Sequence, residues 1–259
     1  MDCVQASKTR LDPSKLPTNT FLHTISLCEL SYNDNLSANC ILISNRETDA
    51  QCKIFFEVSN TNTVYIVFRG TSSLQDWKTD LKIQQDTLLY NDVKVHRGFL
   101  EQYLSIHTDI MKHLTSVINF TNNIIITGHS LGGALATICA VYLKEIPNLN
   151  KYNISVYTYG SPRVGNKKFK KLYNKHIKES YRIAGHSDLI TYFPMNSSYT
   201  HVHPAISYND NIAFLFKKLS IPSTFRRFFN TLKNMDITAN SHKLSSYHEA
   251  ISTFHKYKI

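Results

Sequence analysis

The sequence has little glycine: eight residues in 259, which is about 3% against the roughly 7% usual for soluble proteins. This scarcity excludes collagen-like chains and flexible Gly/Ser-rich linkers. Hydrophobic residues, by contrast, are abundant: they make up 42% of the chain, and 12% of the residues are aromatic. This apolar surface is enough to offset the entropy cost of ordering, which excludes a disordered chain. We predict one domain over residues 1–259, with a less regular N-terminal segment at 1–38.

Several export and cysteine signals are missing. The N-terminus lacks the apolar stretch of a signal peptide, which makes the cytoplasm the default location.

The five cysteines are odd in number and form no close-spaced metal pattern, so no disulfide scaffold is expected. Cys40 and Cys52 could still pair across a hairpin under oxidising conditions. The apolar run 124–143 has bilayer length but contains His129 and Ser130, so no transmembrane segment is predicted.

Acidic residues are also few, 19 against 29 lysines and arginines, and the formal net charge is +10. Nucleic acid, an anionic membrane or simple solubility could explain such a balance, but no nucleic-acid motif accompanies it. One basic cluster lies on a predicted helix, and another lies among phenylalanines between residues 214 and 233. The pattern suits transient contact with an anionic lipid surface, and a solvated helix face is the alternative. The helical cluster comprises Lys167, Lys168, Lys170, Lys171, Lys175 and Lys178.

β-branched and aromatic runs alternate with helical patterns along the chain. The runs lack the polar–apolar alternation of half-buried strands, as expected for strands buried on both faces of a mostly parallel sheet. The pattern predicts the α/β class, with a central parallel sheet flanked by helices. The predicted strands are Cys40–Ser44, Ile54–Val58, Val64–Phe68, Ile124–Thr127, Ile154–Tyr159 and Tyr181–Ala184, and the predicted helices are Phe99–Ile118, Gly132–Leu143 and Asn166–Lys178.

The most specific motif is G-H-S-L-G at residues 128–132, between a predicted strand and a predicted helix. A serine on such a sharp turn presents its hydroxyl clear of the sheet, and the flanking positions must be small because the backbone is crowded there. The following helix N-terminus aims free N–H groups at developing negative charge. The motif predicts Ser130 as a nucleophile.

A serine nucleophile needs a base and a residue that orients the base. With a strand–serine–helix turn, the acid and then the histidine follow the serine along the chain. Asp188 follows a predicted strand and a glycine turn, which predicts it as the acid. His242, in a polar loop before the final helix, is the preferred base; His201 and His203 on an extended segment are alternatives that could line the cleft or bind a metal.

An ester-cleaving site also needs N–H donors for the negatively charged oxygen of its tetrahedral intermediate. One is predicted to be the backbone N–H of Leu131, directly after the nucleophile. The other is predicted to be the N–H of Thr71, in a hydroxyl-rich loop after an earlier strand. A helix cap with no catalytic role is the alternative for that loop.

Five motifs follow one another along the chain: F-R-G-T-S-S-L-Q-D-W at Phe68–Trp77, V-H-R-G-F at Val95–Phe99, I-T-G-H-S-L-G-G-A-L-A at Ile126–Ala136, Y-G-S-P-R-V-G at Tyr159–Gly165 and D-x-I-x-x-x-P at Asp188–Pro194. In this order they resemble the class 3 (fungal-type) lipases of the α/β-hydrolase superfamily. The resemblance covers roughly Cys40 to the C-terminus, and it implies an α/β-hydrolase fold with Ser130, Asp188 and His242 as the triad. It also implies Thr71 and Leu131 as the oxyanion hole.

The same resemblance implies a short lid helix over the site, formed by the segment after Thr71. Leu74, Trp77 and Leu81 fall on one helical face there, and an aromatic ring with a polar N–H is favourable at a lipid–water boundary. An ordinary amphipathic surface helix is the alternative. The sequence departs from the family at Leu189, where proline is usual, and at Ser241, where an acidic residue is common.

These features predict a serine-dependent lipase or esterase that cleaves carboxylic esters of acylglycerols or related lipids through an acyl-enzyme intermediate. The alternatives are a phospholipase A1-type acyl hydrolase, a non-lipid esterase, and a catalytically silent hydrolase-fold binding protein. The chemistry calls for no metal and no organic cofactor. The expected partner is a lipid ester substrate, with no nucleic-acid partner.

Overall fold

The computed structural model describes residues 15–33, 40–57, 62–71, 84–90, 92–118, 121, 123–208, 214–215 and 240–256. Within these residues an eight-stranded sheet forms the centre of the molecule. Its spatial order is β1 (Cys40–Asn45), β2 (Ala50–Glu57), β3 (Thr63–Phe68), β6 (Asn123–His129), β7 (Asn153–Tyr159), β8 (Glu179–Gly185), β9 (Ala205–Tyr208) and β10 (Phe214–Leu215). Two short strands, β4 (Gln85–Thr87) and β5 (Lys94–His96), form a separate antiparallel pair.

The middle of the sheet is parallel, as the apolar runs predicted. Strands β3, β6, β7, β8 and β9 pair in parallel, whereas β1, β2 and β10 pair antiparallel at the two sides. Phe68 lies opposite Gly128 and His129 lies opposite Tyr159, so these carboxyl ends meet at one edge. In a parallel α/β sheet this edge is the usual place for a ligand or active site.

Helices cover both faces of the sheet. On one face, α2 (Arg97–Val117), α3 (Leu131–Glu145) and α4 (Lys167–His176) share a core cluster with Ile66 of β3. On the other face, α1 (Thr18–Ser31) and α5 (Leu244–Lys256) share a second cluster with Tyr65 and Val67 of the same strand. Because neighbouring positions of a strand face opposite sides, every residue of β3 is buried, which explains the missing alternation in its sequence.

Some elements differ from the sequence expectation. Residues 18–31, within the segment expected to be irregular, form α1 and carry the buried Phe21 and Ile25. Helix α4 ends at His176, before the predicted limit, because the fully buried Ile177 has extended backbone (φ −104°, ψ 107°) that leads into β8. Strand β9 was not among the strands predicted from the sequence.

Cys40 and Cys52 do lie on the two strands of a hairpin, but they do not pair. Cys40 faces Phe55 and Cys52 faces Ile43, so the two cysteines are three positions out of register, or about 10 Å along the strands. A disulfide needs Cα atoms within about 7 Å. Both cysteines are free thiols, and Cys52 is fully buried.

Candidate active site

Ser130 lies on the turn between β6 and α3. Its backbone has φ +57° and ψ −126°, a strained conformation for a residue with a side chain, and such strain concentrates at functional sites. The turn is crowded: a Cβ placed on Gly128 would lie 2.3 Å from the backbone carbonyl of Gly132. The flanking glycines therefore let strand and helix approach closely while Ser130 points away from the sheet.

The structure brings Ser130, His242 and Asp188 into one hydrogen-bonded chain. His242 Nε2 lies 2.8 Å from Ser130 Oγ, and His242 Nδ1 lies 2.7 Å from Asp188 Oδ2. Because the carboxylate accepts from Nδ1–H, Nε2 is left with its lone pair toward the serine hydroxyl. At most 3% of each of these residues is exposed, so water competes little with these contacts.

Gly160, at the end of β7, leaves space for the acid and the base. It has φ +60°, and a Cβ there would lie 2.9 Å from Asp188 Oδ2 and 3.1 Å from His242 Nδ1. A larger residue would both strain the backbone and push into the Asp188–His242 contact. Gly160 belongs to the Y-G-S-P-R-V-G motif, whose relation to the site was not evident from the sequence.

Asp188 has two further donors that sequence reasoning missed. Tyr247 of α5 donates its hydroxyl to Asp188 Oδ2 at 2.5 Å, and the Ile190 N–H donates to Oδ1 at 2.9 Å. Burial, and then the charge of Asp188, raises the pKa of Tyr247 well above its usual value, so the phenol keeps the proton that it donates. The only sequence signal was indirect: Tyr247 lies five residues after His242, on the helix that follows it.

A second hydrogen-bonded chain passes behind the nucleophile through His129. His129 Nε2 donates to the backbone carbonyl of His242 at 2.8 Å, and Tyr32 Oη lies 3.0 Å from His129 Nδ1. Burial is the largest cause that lowers the pKa of His129 to about 3, so the ring is neutral and Nδ1 accepts from the tyrosine hydroxyl. The backbone N–H of Gly70 donates a hydrogen bond to the Tyr32 hydroxyl. The chain thus ties four separate segments together beside Ser130.

The two residues predicted for the oxyanion hole flank Ser130. Leu131 is the first residue of α3, where backbone N–H groups have no partner within the helix. Thr71 is half-buried and directly follows Gly70, on which a Cβ would lie 3.2 Å from Ser130 Cβ. The two segments are therefore close enough to face one reacting group, and the donor role itself remains a prediction.

The alternative histidines are engaged elsewhere. His201 Nε2 donates to the Thr191 carbonyl at 2.5 Å, and His203 Nε2 donates to the Ile177 carbonyl at 3.0 Å. Over the described ranges, no group of histidine, cysteine, aspartate and glutamate is arranged to hold a metal ion. His242 is therefore the histidine that contacts Ser130.

The predicted lid residues, Leu74, Trp77 and Leu81, lie outside the described residues, and so does most of the second basic cluster at 214–233. The first cluster is visible at α4: four of the five lysines on the helix are exposed, as is Lys178 just after it, and Lys168 pairs with Asp92 at 2.8 Å. No helix in the part of the chain that is described is both long and apolar enough to cross a membrane.

The sheet, the serine turn and the order of serine, aspartate and histidine along the chain define the molecule as an α/β-hydrolase. A model of the class 3 lipase family matches residues 65–198, just over half of the chain. The protein belongs to the class 3 lipase family, which confirms the assignment made from the sequence motifs.

Individual relatives agree with this family. The chain is 32% identical over 145 residues to a secreted mono- and diacylglycerol lipase of Fusarium solani, covering 54% of this chain and 42% of that protein. It is 38% identical over 112 residues to a lipase of Rhizomucor miehei, covering 41% of this chain and 31% of that protein. The matched parts thus span less than half the length of these relatives.

Solved structures share the fold. The triacylglyceride lipase of Rhizomucor miehei superposes with a TM-score of 0.65 at 24% identity, covering 78% of this chain and 86% of that chain. A triacylglycerol lipase whose catalytic centre is described as a serine protease triad superposes with a TM-score of 0.62 at 25% identity, covering 74% of this chain and 79% of that chain.

The cytoplasmic default is corrected by the same comparison. The matching proteins from Fusarium solani and Penicillium cyclopium are named as secreted lipases. The N-terminal sequence was the only basis for the default, and the relatives named as secreted outweigh it.

Proposed function

We propose that this protein is a serine-dependent lipase that hydrolyses carboxylic ester bonds of acylglycerols. The observation that carries the proposal is the continuous contact from Ser130 Oγ through His242 to Asp188, at 2.8 and 2.7 Å. The substrate class is supported by relatives named as mono-, di- and triacylglycerol lipases.

In the proposed reaction, Ser130 Oγ attacks the ester carbonyl while His242 Nε2 removes its proton. Asp188 holds Nδ1–H, which keeps the ring in the reactive tautomer and stabilises the imidazolium that forms. His242 then protonates the leaving alcohol, and an acyl group remains on Ser130. Water, activated by His242, next attacks the acyl-enzyme and releases the fatty acid.

The negatively charged oxygen of each tetrahedral intermediate would accept hydrogen bonds from the N–H groups of Leu131 and Thr71. Loss of one such donor typically costs about 3 kcal/mol of transition-state stabilisation. The approach of the Gly70 backbone to Ser130 supports this arrangement. The proposal includes a lid formed by the segment that contains Leu74, Trp77 and Leu81. This part of the proposal rests on the family motifs.

The direct test is hydrolysis of short-chain esters, long-chain acylglycerols and phospholipid vesicles by wild type, Ser130→Ala and His242→Ala. We expect wild-type activity on acylglycerols and a loss of about 1000-fold or more in either variant. An organophosphonate should label wild type and not Ser130→Ala. Inactivity of wild type on every ester would favour a silent binding protein, and activity highest on phospholipids would favour a phospholipase A1.

We also propose that α4 makes transient contact with an anionic lipid surface. Lys167, Lys171 and Lys175 are exposed on a helix that buries Phe169 and Tyr173, and its first turn has no acidic residue. Lysines near a helix N-terminus oppose the helix dipole, so their accumulation there is not explained by helix stability. An anionic surface attracts such residues by about 1 kcal/mol each.

Sedimentation with phosphatidylcholine vesicles, with and without phosphatidylserine, tests this contact. Replacing Lys167, Lys171 and Lys175 by glutamine should weaken binding to the anionic vesicles by about 100-fold. The matched control replaces Lys15, Lys112 and Lys151, which are also exposed but lie elsewhere. Equal losses in both variants would mean that net charge alone is responsible.

We further propose that residues 1–259 form one domain. Helices α1 and α5, from opposite ends of the described chain, share one core cluster with the central sheet. Limited proteolysis should therefore yield no stable half-sized fragment.

A further inference from the structure

Arg182 is a buried charge with few partners. It lies on β8, only 5% of its surface is exposed, and its Nε donates a long hydrogen bond of 3.4 Å to the His203 carbonyl. Its Nη1 is buried and has no hydrogen-bond partner among the described residues. A guanidinium has five donors and stays charged, so burying it without an acceptor is costly.

The other groups around Arg182 are basic or neutral. The charges of Arg182, Arg163 and Lys170 all act on the buried His201, and they add to burial in lowering its pKa. Burial lowers the pKa of Arg182 itself to about 10, and the charge of Arg163 contributes, so both arginines are positive at neutral pH. Within the described ranges no carboxylate contacts Arg182.

The neighbouring strand shows where a counter-charge would fit. In the parallel register of β8 and β9, Arg182 lies directly opposite Ala205, and the two side chains share one face of the sheet. Adjacent strands are about 4.8 Å apart, so an acidic side chain at position 205 could reach the guanidinium. Ala205 is itself buried and contributes only a methyl group.

We propose that Arg182, with Arg163 and His201 beside it, forms a binding site for a small inorganic anion of about the size of chloride. The anion would accept from Arg182 Nη1–H over the Ala205 methyl group and neutralise the buried positive charge. The site lies on the face of β8 that carries Ser180, whose hydroxyl contacts Tyr173 of α4. Its expected role is to stabilise the fold.

Thermal unfolding tests the site. Chloride is exchanged for gluconate, which is too large to enter, at constant ionic strength and on the full chain. For wild type we expect the Tm to rise by roughly 5 °C with chloride and to saturate, as binding to the folded state requires. A Tm that does not change, or that rises without saturation, overturns the proposal.

Substitutions at position 205 distinguish the effect of a negative charge from the effect of a larger side chain. Ala205→Glu supplies an internal carboxylate, so its Tm in gluconate should equal or exceed that of wild type in chloride and should not respond to chloride. Ala205→Gln introduces a side chain of nearly the same size without the charge. It should neither raise the Tm in gluconate nor make the Tm independent of chloride. Arg182→Met should also lose the chloride response; if it does not fold, the position 205 pair decides. A chloride response retained in Ala205→Glu would overturn the proposal.

Crystals soaked in bromide give a direct readout. We expect an anomalous difference peak within hydrogen-bond distance of Arg182 Nη1 in wild type and no peak there in Ala205→Glu. A water or a side chain of the protein at that position, with no bromide, overturns the proposal. Ester hydrolysis is measured in parallel: a chloride-dependent Tm in a protein without esterase activity would keep the anion site while rejecting the proposed function.

Discussion

At the scale of single residues, the acid of the triad is held by Tyr247 as well as by His242. The tyrosine hydroxyl donates to Asp188 Oδ2 and also accepts from the Gly185 N–H at 3.0 Å. A hydrogen bond to a charged group contributes about 1.5–3 kcal/mol. Tyr247 therefore fixes the carboxylate in the position from which it orients the base.

Replacing Tyr247 by phenylalanine tests this role. We expect kcat for ester hydrolysis to fall by about 10-fold or more with KM nearly unchanged, because the carboxylate loses a donor while the acyl-binding surface is kept. Tyr181→Phe on β8, whose ring stacks on Tyr157, is the matched control and should leave kcat unchanged. A proportional rise in KM would contradict a positioning role.

The chain through His129 makes a second prediction at this scale. Tyr32→Phe and His129→Leu should each slow labelling of Ser130 by an organophosphonate, by about 10-fold, because the backbone of His242 loses support. The effects of substitutions within one hydrogen-bond network do not add up, so labelling of the double variant should be no slower than labelling of His129→Leu alone. Additive losses would show that Tyr32 and His129 act independently.

At the scale of elements, the contact between β3 and α3 determines where the nucleophile lies. A Cβ on Gly132 would lie 2.2 Å from the Phe68 carbonyl oxygen, so the helix can approach the strand only without a side chain there. Gly98, in the first turn of α2, has no such constraint, because a Cβ there would lie 3.4 Å from the nearest atom, His96 Cε1.

Alanine at these two positions should have opposite effects. Gly132→Ala should lower the free energy of unfolding by about 3 kcal/mol or more, because the helix must move off the strand, and should abolish hydrolysis. Gly98→Ala should raise the free energy of unfolding by about 0.5–1 kcal/mol, because alanine loses less conformational entropy than glycine when a helix forms. Urea unfolding measures both changes, and a destabilised Gly98→Ala would contradict the open space at that position.

At the scale of the whole molecule, buried neutral histidines make stability depend on pH. Burial lowers the pKa of His96 to about 4 and is the largest cause of the value of about 3 for His129. In the unfolded chain both titrate near 6.5, so below that pH the unfolded state binds more protons. Their contribution to stability is complete above pH 6.5 and is lost as the pH falls.

Each such histidine contributes a slope of up to about 1.4 kcal/mol per pH unit. Between pH 6.5 and 4.5 the two together should therefore lower the free energy of unfolding by about 4 kcal/mol. His96→Phe, which keeps the stacking on Phe99 at 4.1 Å, should reduce the slope by one proton. Urea titrations at several pH values measure how the free energy of unfolding depends on pH. An unchanged slope in this variant would contradict the prediction.

The sequence by itself predicted the class of the molecule, the parallel core and the family. These follow from local patterns: apolar runs without alternation mark strands covered on both faces, and the G-H-S-L-G turn is specific because few residues fit its crowded backbone. The lid and the oxyanion roles of Thr71 and Leu131 remain predictions, and the cytoplasmic default was wrong because relatives named as secreted contradict it.

Only the tertiary structure decided which groups meet. His242 rather than His201 contacts Ser130 because the final helix returns across the sheet beside α1, a long-range event that no local pattern records. The same is true of Tyr247 on Asp188 and of Arg182 opposite Ala205. Sequence patterns report the neighbours of a residue along the chain, whereas hydrogen bonds and uncompensated charges depend on segments that folding alone brings together.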